Sequence, residues 1–384
     1  MESLGSRGAP TAALAPYEYA LHALADQNRL RALAPRIGLD FSSNDYLGLA
    51  ASPRLRSALI TAMSRGTAIG AGGSRLLRGN APEHEELEAK AAAFFRAERT
   101  LFLSSGYAAN FALFATLPQR KDLVILDELT HASTRDGVRL GRAASLESRH
   151  NDVASVEDAI RTWREAGGLG QIWIAAESLY SMDGDRAPLQ DLMNIADRHD
   201  AFLVIDEAHA TGVFGPDGRG LAANFEGRDN VIVLHTCGKA LGGAGALLTL
   251  PLTLRDFLVN RCRPFIFSTA PSPLMAVAAL EALAILKDEP QRRENLERLV
   301  AYAGHQAQAR GLPISGSQIL PVIIGDDLGV MQVASSLQRR GFDVRGVRPP
   351  TVPKGTARLR ISITLNVTEA AISGLFDTLA ELQT

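Results

Sequence analysis

The chain has 384 residues, with 40 lysines and arginines against 42 aspartates and glutamates, so its formal net charge is −2. This near balance argues against a protein that binds nucleic acid or an anionic membrane surface. The two cysteines, Cys237 and Cys262, are too few for a disulfide scaffold and lack metal-site spacing. No apolar run approaches the roughly 20 residues of a membrane span, and residues 1–10 lack the apolar core of a secretory signal. We therefore expect a cytoplasmic, metal-free protein of about two structural units.

The first third of the chain contains one predicted surface helix and two loop-like segments. Residues 17–33 place leucines among polar residues at helical spacing, which predicts a helix that carries Arg29 and Arg31. Segment 41–49 contains serine, asparagine and aspartate, which suit a loop that approaches a ligand. Residues 66–79 are rich in glycine, so their backbone can adopt conformations closed to residues with a Cβ. This segment resembles an anion-binding loop only weakly.

Strands and helices alternate through the middle of the chain. Short apolar runs predict strands at 101–103, 123–126, 171–176, 202–205 and 231–234, and amphipathic runs predict helices at 83–96, 153–163 and 189–199. Alternation of this kind predicts an α/β fold with a mainly parallel central sheet and helices on both faces.

The composition changes after a proline-rich stretch near residues 261–273. Beyond it we predict helices at 274–287, after Pro290, at 330–339 and at 369–382, with strands at 319–324 and 358–364. These elements indicate a small α+β unit. The predicted organisation is an N-terminal helical arm at 1–45, a large domain at 46–275 and a small C-terminal α+β domain at 276–384.

Charged side chains follow two of the predicted strands at the point where each strand ends. Asp206 and His209 follow the strand at 202–205, and Lys239 follows the strand at 231–234. In open α/β sheets, ligands bind in the crevice beyond the carboxyl ends of the strands. We therefore expect these three side chains to converge on one site at that edge of the sheet.

A third strand leads into a possible anion site. The strand at 101–103 is followed by a serine- and glycine-containing turn at 104–110 and then by a helical segment. Free backbone N–H groups and the helix dipole at such a turn attract anions. A turn with no ligand is an equally common outcome for this pattern.

Lys239 has a structural and a chemical interpretation. Most lysines after strands are surface residues, and a phosphate-binding loop is excluded because it needs glycine in place of Val233 and serine or threonine in place of Ala240. A lysine whose charge is suppressed in a closed site can instead form a Schiff base with an aldehyde. Pyridoxal 5'-phosphate (PLP) is the common aldehyde cofactor, and it needs a carboxylate at its ring nitrogen, for which Asp206 is placed. His131 is available to stack on the ring, so the residues alone predict an α/β PLP-dependent enzyme.

The chain resembles the α-oxoamine synthases, a family of fold-type I PLP-dependent transferases, from about Leu21 onward. The resemblance is carried by the motifs Asn44-Asp45-Tyr46-Leu47-Gly48-Leu49, Ser105-Gly106-Tyr107-Ala108-Ala109-Asn110, Ser181-Met182-Asp183-Gly184-Asp185, Asp206-Glu207-Ala208-His209-Ala210-Thr211-Gly212 and Thr236-Cys237-Gly238-Lys239. Within the family, the run from Arg348-Pro349-Pro350-Thr351 to Arg360 is similar to enzymes that condense L-alanine with a pimeloyl thioester, carried by coenzyme A or a carrier protein. The resemblance implies a decarboxylative acyl transfer in biotin synthesis.

The resemblance implies cofactor roles for residues of the large domain. Lys239 would bind the cofactor covalently and then act as general base and acid, while Asp206 would pair with the ring nitrogen. His209 and Ser181 would form hydrogen bonds near the ring hydroxyl, and His131 would stack on the ring. The phosphate group would be bound by Gly106, Tyr107 and Thr236.

It also implies how the substrates bind. Arg360 would bind the amino-acid carboxylate bidentately, a geometry that lysine cannot reproduce. Arg31, Arg348 and Thr351 would contact the substrates, with Arg31 rather than Arg29 assigned by the Leu-Arg pattern alone. Asn44 would line the acyl channel.

Ser268 and Thr269 would reach the cofactor phosphate of a partner subunit, which implies a homodimer. Two alternatives stay open from the sequence. One is a sibling enzyme that uses glycine or serine with another acyl thioester. The other is a non-catalytic partner subunit of the same fold, although such subunits lose the lysine that this chain retains as Lys239.

Overall fold

The computed structural model describes residues 12–383. Its helices are α1 Ala15–Asp26, α2 Pro53–Ser64, α3 Pro82–Phe95, α4 Gly106–Thr116, α5 Ala132–Leu140, α6 Val153–Glu165, α7 Leu189–Arg198, α8 Leu252–Arg261, α9 Arg263–Ile266, α10 Pro273–Asp288, α11 Gln291–Gln308, α12 Asp327–Arg339 and α13 Glu369–Gln383. Its strands are β1 Leu39–Asp40, β2 Arg99–Leu103, β3 Leu123–Asp127, β4 Ala144–Ser148, β5 Ile172–Glu177, β6 Phe202–Asp206, β7 Val231–Thr236, β8 Ala246–Leu250, β9 Ile319–Gly325, β10 Phe342–Asp343, β11 Arg345–Val347 and β12 Ala357–Ser362.

A seven-stranded sheet in the order β2-β8-β7-β6-β5-β3-β4 forms the centre of the molecule. Every neighbouring pair is parallel except the two pairs that contain β8, which is antiparallel to β2 and β7. Strands β3, β5 and β7 are buried along their whole length, because one apolar cluster covers each face of the sheet. The predicted mainly parallel sheet is confirmed, whereas β4 and β8 were not predicted.

A second, antiparallel sheet in the order β11-β12-β9 forms the C-terminal part of the chain. Helices α11, α12 and α13 contribute apolar side chains to the core beside this sheet. The short strand β1 pairs in parallel with β10, so the N-terminal region is joined to the C-terminal region by backbone hydrogen bonds. The division of the chain at residues 45 and 275 stays a prediction.

The predicted helix at 17–33 is wrong at its C-terminal end. Helix α1 stops at Asp26, and Asn28, with a φ of 56°, ends it in the left-handed conformation. Arg29 and Arg31 therefore follow the helix instead of lying on it. Residues 1–11 of the predicted N-terminal arm lie outside the described residues. Between residues 12 and 383, no helix is long and apolar enough to cross a membrane.

Candidate active site

The C-terminal ends of β6 and β7 bring a carboxylate, an imidazole and an amine together. Asp206 is the last residue of β6, where it pairs with Leu234 of the parallel strand β7. His209 follows three residues later, and Lys239 follows the end of β7 at Thr236 by the same interval. Lys239 Nζ lies 2.7 Å from His209 Nε2. Groups separated by 30 residues in the sequence therefore form one contact, as the sheet topology requires.

The electrostatic environment lowers the pKa values of both members of this pair. Burial lowers the pKa of Lys239 to about 8, although the charges of Asp206 and Glu177 oppose the shift and Arg360 adds to it. Burial also lowers the pKa of His209 well below its ordinary value, and the positive charges of Lys239, Arg360 and His131 act in the same direction. A neutral amine is the form of lysine that attacks an aldehyde, so the lowered pKa of Lys239 increases the fraction of the reactive form near neutral pH.

Asp206 is held in place by two donors. Its Oδ2 accepts a hydrogen bond of 2.7 Å from Asn110 Nδ2, and its Oδ1 accepts one of 2.9 Å from the backbone N–H of Ala208. Asn110 is buried on α4 and also donates to Ser133 Oγ at 3.1 Å. The carboxylate is thereby fixed at the sheet edge.

The start of α4 provides unpaired backbone donors at the other end of the site. Ser105 is the N-cap, and its Oγ accepts from the N–H of Ala108 at 3.0 Å. The N–H groups of Gly106 and Tyr107, in the first turn, have no carbonyl four residues earlier in the helix to bind. A Cβ atom placed on Gly106 would lie 3.5 Å from Thr236 Oγ1, so the Thr236 hydroxyl lies beside these donors. This arrangement suits a bound anion.

His131 and Ser181 lie at the ends of β3 and β5. His131 is the N-cap of α5, and its Nδ1 lies 2.7 Å from Ser133 Oγ. Its exposed ring meets the ring of Tyr107 edge-on, with 6.5 Å between the centroids. The backbone carbonyl of Ser181 accepts a hydrogen bond of 2.6 Å from Arg360 Nε.

Strand β12 introduces Arg360 from the C-terminal region. The side chain is buried, and besides Ser181 it donates to Ser362 Oγ at 2.8 Å and to the Tyr46 hydroxyl at 3.4 Å. Its charge lowers the pKa of both His209 and Lys239, so it lies near both. Asn44 reaches the same hydroxyl, since Tyr46 donates to Asn44 Oδ1 at 2.9 Å.

A cavity of about 570 Å³ opens beside these residues and is lined by His131, Ser181, Thr351 and neighbouring residues. Arg31 Nη2 lies 3.5 Å from Thr351 Oγ1 and has no carboxylate partner among the described residues. Arg29, by contrast, forms an ion pair of 2.6 Å with Asp327. Arg348 donates to the backbone carbonyl of Asn28, and burial and the charge of Arg31 lower its pKa. Arg31 and Arg348 therefore have no carboxylate partner among the described residues, and Arg31 lies beside Thr351 of the cavity lining.

Ser268 and Thr269 do not lie beside Lys239. Both are exposed and line a separate cavity of about 240 Å³ together with Arg75 and Tyr107. The structure thus places them near the start of α4 but outside the Lys239 cluster.

The donor set of the site matches the groups of PLP. An amine of lowered pKa suits its aldehyde, a fixed carboxylate suits a ring nitrogen that must stay protonated, and an imidazole suits its ring face. The free N–H groups of α4 and the Thr236 hydroxyl suit its phosphate.

Comparisons with known proteins agree with this chemistry. The family "Aminotransferase class I and II" matches residues 36–379. The 8-amino-7-oxononanoate synthase of Anaeromyxobacter sp. (strain K) is 42% identical over 345 residues, which cover 89% of this chain and 85% of the relative. That of Chromobacterium violaceum is 40% identical over 343 residues, which cover 88% of each chain. The chain belongs to the 8-amino-7-oxononanoate synthase family.

Solved structures show the same fold. An 8-amino-7-oxononanoate synthase from Francisella tularensis matches with a TM-score of 0.77 and 26% identity. The match covers 90% of this chain and 97% of the synthase. A serine palmitoyltransferase variant from S. paucimobilis with a bound PLP-myriocin aldimine has a TM-score of 0.85 at 26% identity, with 97% of each chain covered. The synthase family and this transferase therefore share one fold-type I architecture.

Sequence reasoning missed three residues of the site. Asn110 holds Asp206, and Tyr46 contacts both His209 and Arg360. Glu177 pairs with Asp206 across β5 and β6, and burial together with the charge of Asp206 raises its pKa to about 8. The only signal for Asn110 and Tyr46 was their place in the quoted motifs, and Glu177 was visible as a charge that ends an apolar run.

Proposed function

We propose that the protein condenses L-alanine with a pimeloyl thioester to give 8-amino-7-oxononanoate, CO2 and the free thiol, with PLP as cofactor. The observation that carries this proposal is the Lys239–His209 contact of 2.7 Å beside a fixed Asp206, in a chain about 40% identical to curated synthases of that name. The residues that a non-catalytic partner subunit loses are present.

Lys239 is proposed to hold the cofactor, and Asp206 to pair with its ring nitrogen. When bound, PLP supplies an aldehyde and an electron-withdrawing ring that stabilises negative charge at Cα of the amino acid. His131 would cover the ring face, while His209 and Ser181 would lie near the ring hydroxyl. The phosphate is proposed to bind Gly106, Tyr107 and Thr236 at the start of α4.

Lys239 also moves the protons of the reaction. The Lys239 amine, when not bound to the cofactor, would accept the proton from Cα of alanine, because its lowered pKa of about 8 increases the uncharged fraction available near neutral pH. The Cα would then bond to the thioester carbonyl carbon as the C–S bond breaks, and the sulfur would leave as a thiolate that takes its proton from solvent. After the carboxylate departs as CO2, the Lys239 ammonium can return a proton to the same carbon.

Arg360 is proposed to bind the carboxylate of alanine. Its guanidinium is buried, fixed by three hydrogen bonds and close enough to Lys239 to lower the pKa of that amine. Arg31, Arg348 and Thr351 are proposed to bind the acyl donor at the mouth of the cavity, with Asn44 along the acyl channel.

The proposal includes a cytoplasmic homodimer. Ser268 and Thr269 are exposed, have no side-chain hydrogen bond among the described residues and lie next to Phe267, which is 71% exposed. Leu77, in the glycine-rich segment, is 79% exposed. Contiguous exposed apolar patches mark subunit interfaces, and these side chains are proposed to form one. In the dimer, Ser268 and Thr269 would reach the partner's phosphate site.

The decisive test is an absorbance spectrum of the protein with PLP, before and after L-alanine, glycine and L-serine are added in turn. We expect a band near the visible edge that alanine perturbs most strongly and borohydride removes. Mass spectrometry of the product with a pimeloyl thioester then identifies the acyl group. The 0.85 TM-score to serine palmitoyltransferase favours a serine-dependent sibling as the second candidate, and a preference for serine or glycine would replace the alanine assignment. Absence of a band would refute the PLP assignment.

A further inference from the structure

Tyr46 is fully buried in the site, and its hydroxyl is at the centre of a hydrogen-bonded cluster. Its hydroxyl lies 2.6 Å from His209 Nδ1, 2.9 Å from Asn44 Oδ1 and 3.4 Å from Arg360 Nη2. The other ring nitrogen of His209 contacts Lys239 Nζ at 2.7 Å. One hydroxyl thus connects the arginine proposed to bind the substrate carboxylate with the lysine proposed to move protons.

The number of hydrogens available at the Tyr46 hydroxyl decides which partner donates and which accepts in each contact. A phenol has one hydrogen to donate and can accept two hydrogen bonds, an arginine can only donate, and an amide oxygen can only accept. The Tyr46 hydrogen therefore goes to Asn44 Oδ1, and the hydroxyl oxygen accepts from Arg360. The Gln318 amide is a further donor toward this oxygen, but its Nε2 donates at 2.7 Å to the His209 carbonyl, so we take the 2.6 Å contact with His209 as the second accepted hydrogen bond. His209 then donates from Nδ1 to Tyr46, which leaves a lone pair on Nε2 that faces Lys239.

We propose that Tyr46 is a positioning residue of this reaction: it holds His209 in the Nδ1–H tautomer, so that Nε2 accepts a hydrogen bond from Lys239. The backbone of His209 is fixed as well, because the buried Gln318 donates to its carbonyl at 2.7 Å. With backbone and ring both held, the imidazole cannot rotate away from the lysine. This role rests on the proposed function, whereas the tautomer itself does not.

The tautomer affects the proton of Lys239. A lone pair on Nε2 stabilises the ammonium form, together with the charges of Asp206 and Glu177, while Arg360 and burial oppose it. The imidazole itself stays neutral, because burial and the charges of Lys239, Arg360 and His131 lower the pKa of His209. Loss of the Tyr46 hydroxyl would free the ring to present an N–H to Lys239 and would thereby favour the neutral amine.

The first experiment is ¹⁵N NMR of histidine-labelled, cofactor-free protein. The chain has eight histidines, and the signal of His209 is identified by its loss in His209→Asn. We expect an Nδ1–H tautomer in the wild type and a mixture in Tyr46→Phe. An Nε2–H tautomer in the wild type would overturn the assignment, whatever reaction the protein catalyses.

The second experiment follows the rate at which Lys239 captures PLP as a function of pH. The pH midpoint should fall by about one unit in Tyr46→Phe. Tyr302→Phe is the matched control, because it also loses a tyrosine hydrogen bond, of 2.6 Å to Ser373 Oγ, far from the site along the chain. Equal midpoints in all three proteins would mean that Tyr46 only supports the structure.

Asn44→Leu keeps the test decisive if Tyr46→Phe does not fold. Without the amide oxygen, the Tyr46 hydrogen is free to turn to His209 Nδ1, so the NMR signal should move to the Nε2–H tautomer. An unchanged Nδ1–H signal in this variant would contradict the proposal. Failure of the wild type to capture PLP at Lys239, by contrast, would refute the proposed function and leave the tautomer assignment standing.

Discussion

His209 and His150 both lie just beyond the C-terminal ends of sheet strands, yet their neighbours have charges of opposite sign. His209 lies against Lys239, Arg360 and the Tyr46 hydroxyl, and burial and these cations lower its pKa. His150 contacts Asp127 Oδ1 at 2.9 Å and Asp185 Oδ2 at 2.8 Å. Burial alone would lower its pKa, but the hydrogen bonds and charges of these two aspartates raise it to about 10.

The difference shows how one residue type serves two purposes at one edge of the sheet. Neutral His209 can accept a hydrogen bond from Lys239 without adding a positive charge to the site. Charged His150 holds the end of β3 to the segment after β5, and Asn151 adds hydrogen bonds to both aspartates there. The neighbouring charges decide the role of each histidine, and both sets of neighbours come from distant parts of the chain.

The largest expected effect comes from removing the lysine beside His209. Lys239→Ala should reduce turnover on the order of 10⁴-fold or more, because it removes both the cofactor attachment and the proton carrier. Product formation measured by mass spectrometry checks this, and Lys287→Ala, at an exposed lysine of α10, is the control. Turnover retained in Lys239→Ala would refute the role of this residue. The His150 region, which makes no contact with Lys239 in the described structure, should keep its stability.

The second prediction concerns the pH dependence of folding at His150. Its pKa of about 10 in the folded chain lies above the ordinary value of 6.5. Its stabilising contribution is therefore fully present below pH 6.5 and is lost as the pH rises through 10.

Urea unfolding of the wild type and of His150→Gln at pH 6, 8 and 10 checks this sign. We expect the wild type to be more stable by on the order of 3 kcal/mol at pH 6, with the gap shrinking toward pH 10. A gap that does not change with pH would show that His150 is not charged in the folded protein. Turnover at pH 7 should differ less than about threefold between His150→Gln and the wild type. A small effect on turnover distinguishes the role of His150 from that of the residues around His209.

The third prediction concerns Arg360, which together with Lys239 lowers the pKa of His209. Arg360→Lys keeps the positive charge but loses the planar, bidentate geometry, so kcat/KM for alanine should fall about 10- to 100-fold. Steady-state kinetics with each substrate varied separately checks this. The KM for the thioester should hardly change, and an effect on the thioester alone would place Arg360 in the acyl-donor site instead.

The smallest effect is expected at the cavity mouth, where two arginines differ in their partners. Arg31→Gln should raise the KM for the thioester about fivefold, because Arg31 has no carboxylate to neutralise it among the described residues. Arg29→Gln should have less effect, since Asp327 already pairs with Arg29. The difference between the two variants should shrink at high salt. Equal increases in the thioester KM in both variants would show that Arg29 contributes to substrate binding despite its ion pair with Asp327.

Local sequence patterns were enough for five of the seven strands of the main sheet, β2, β3, β5, β6 and β7. Apolar runs that end in charge predicted β3, β5, β6 and β7 with errors of one or two residues at their ends, because buried parallel strands need apolar residues on both faces. Strand β4 was missed because it is an edge strand that is exposed at four of its five residues and has no apolar run. Strand β8 was missed although it is largely apolar and buried. The helix at 17–33 was overextended, because the leucines continue past the turn at Asn28 that ends α1.

The sequence by itself determined the types of chemistry available: a lysine, an aspartate and a histidine after two strand ends, and a serine-glycine turn before a helix. These follow from local order, since strand ends and helix starts expose polar groups wherever the sheet is placed. Only the tertiary structure decided which charges meet. Arg360 arrives from β12 and Tyr46 from the N-terminal region, 163 residues before the histidine it contacts. Burial and neighbouring charge set a pKa, and both depend on packing between segments that lie far apart in the chain.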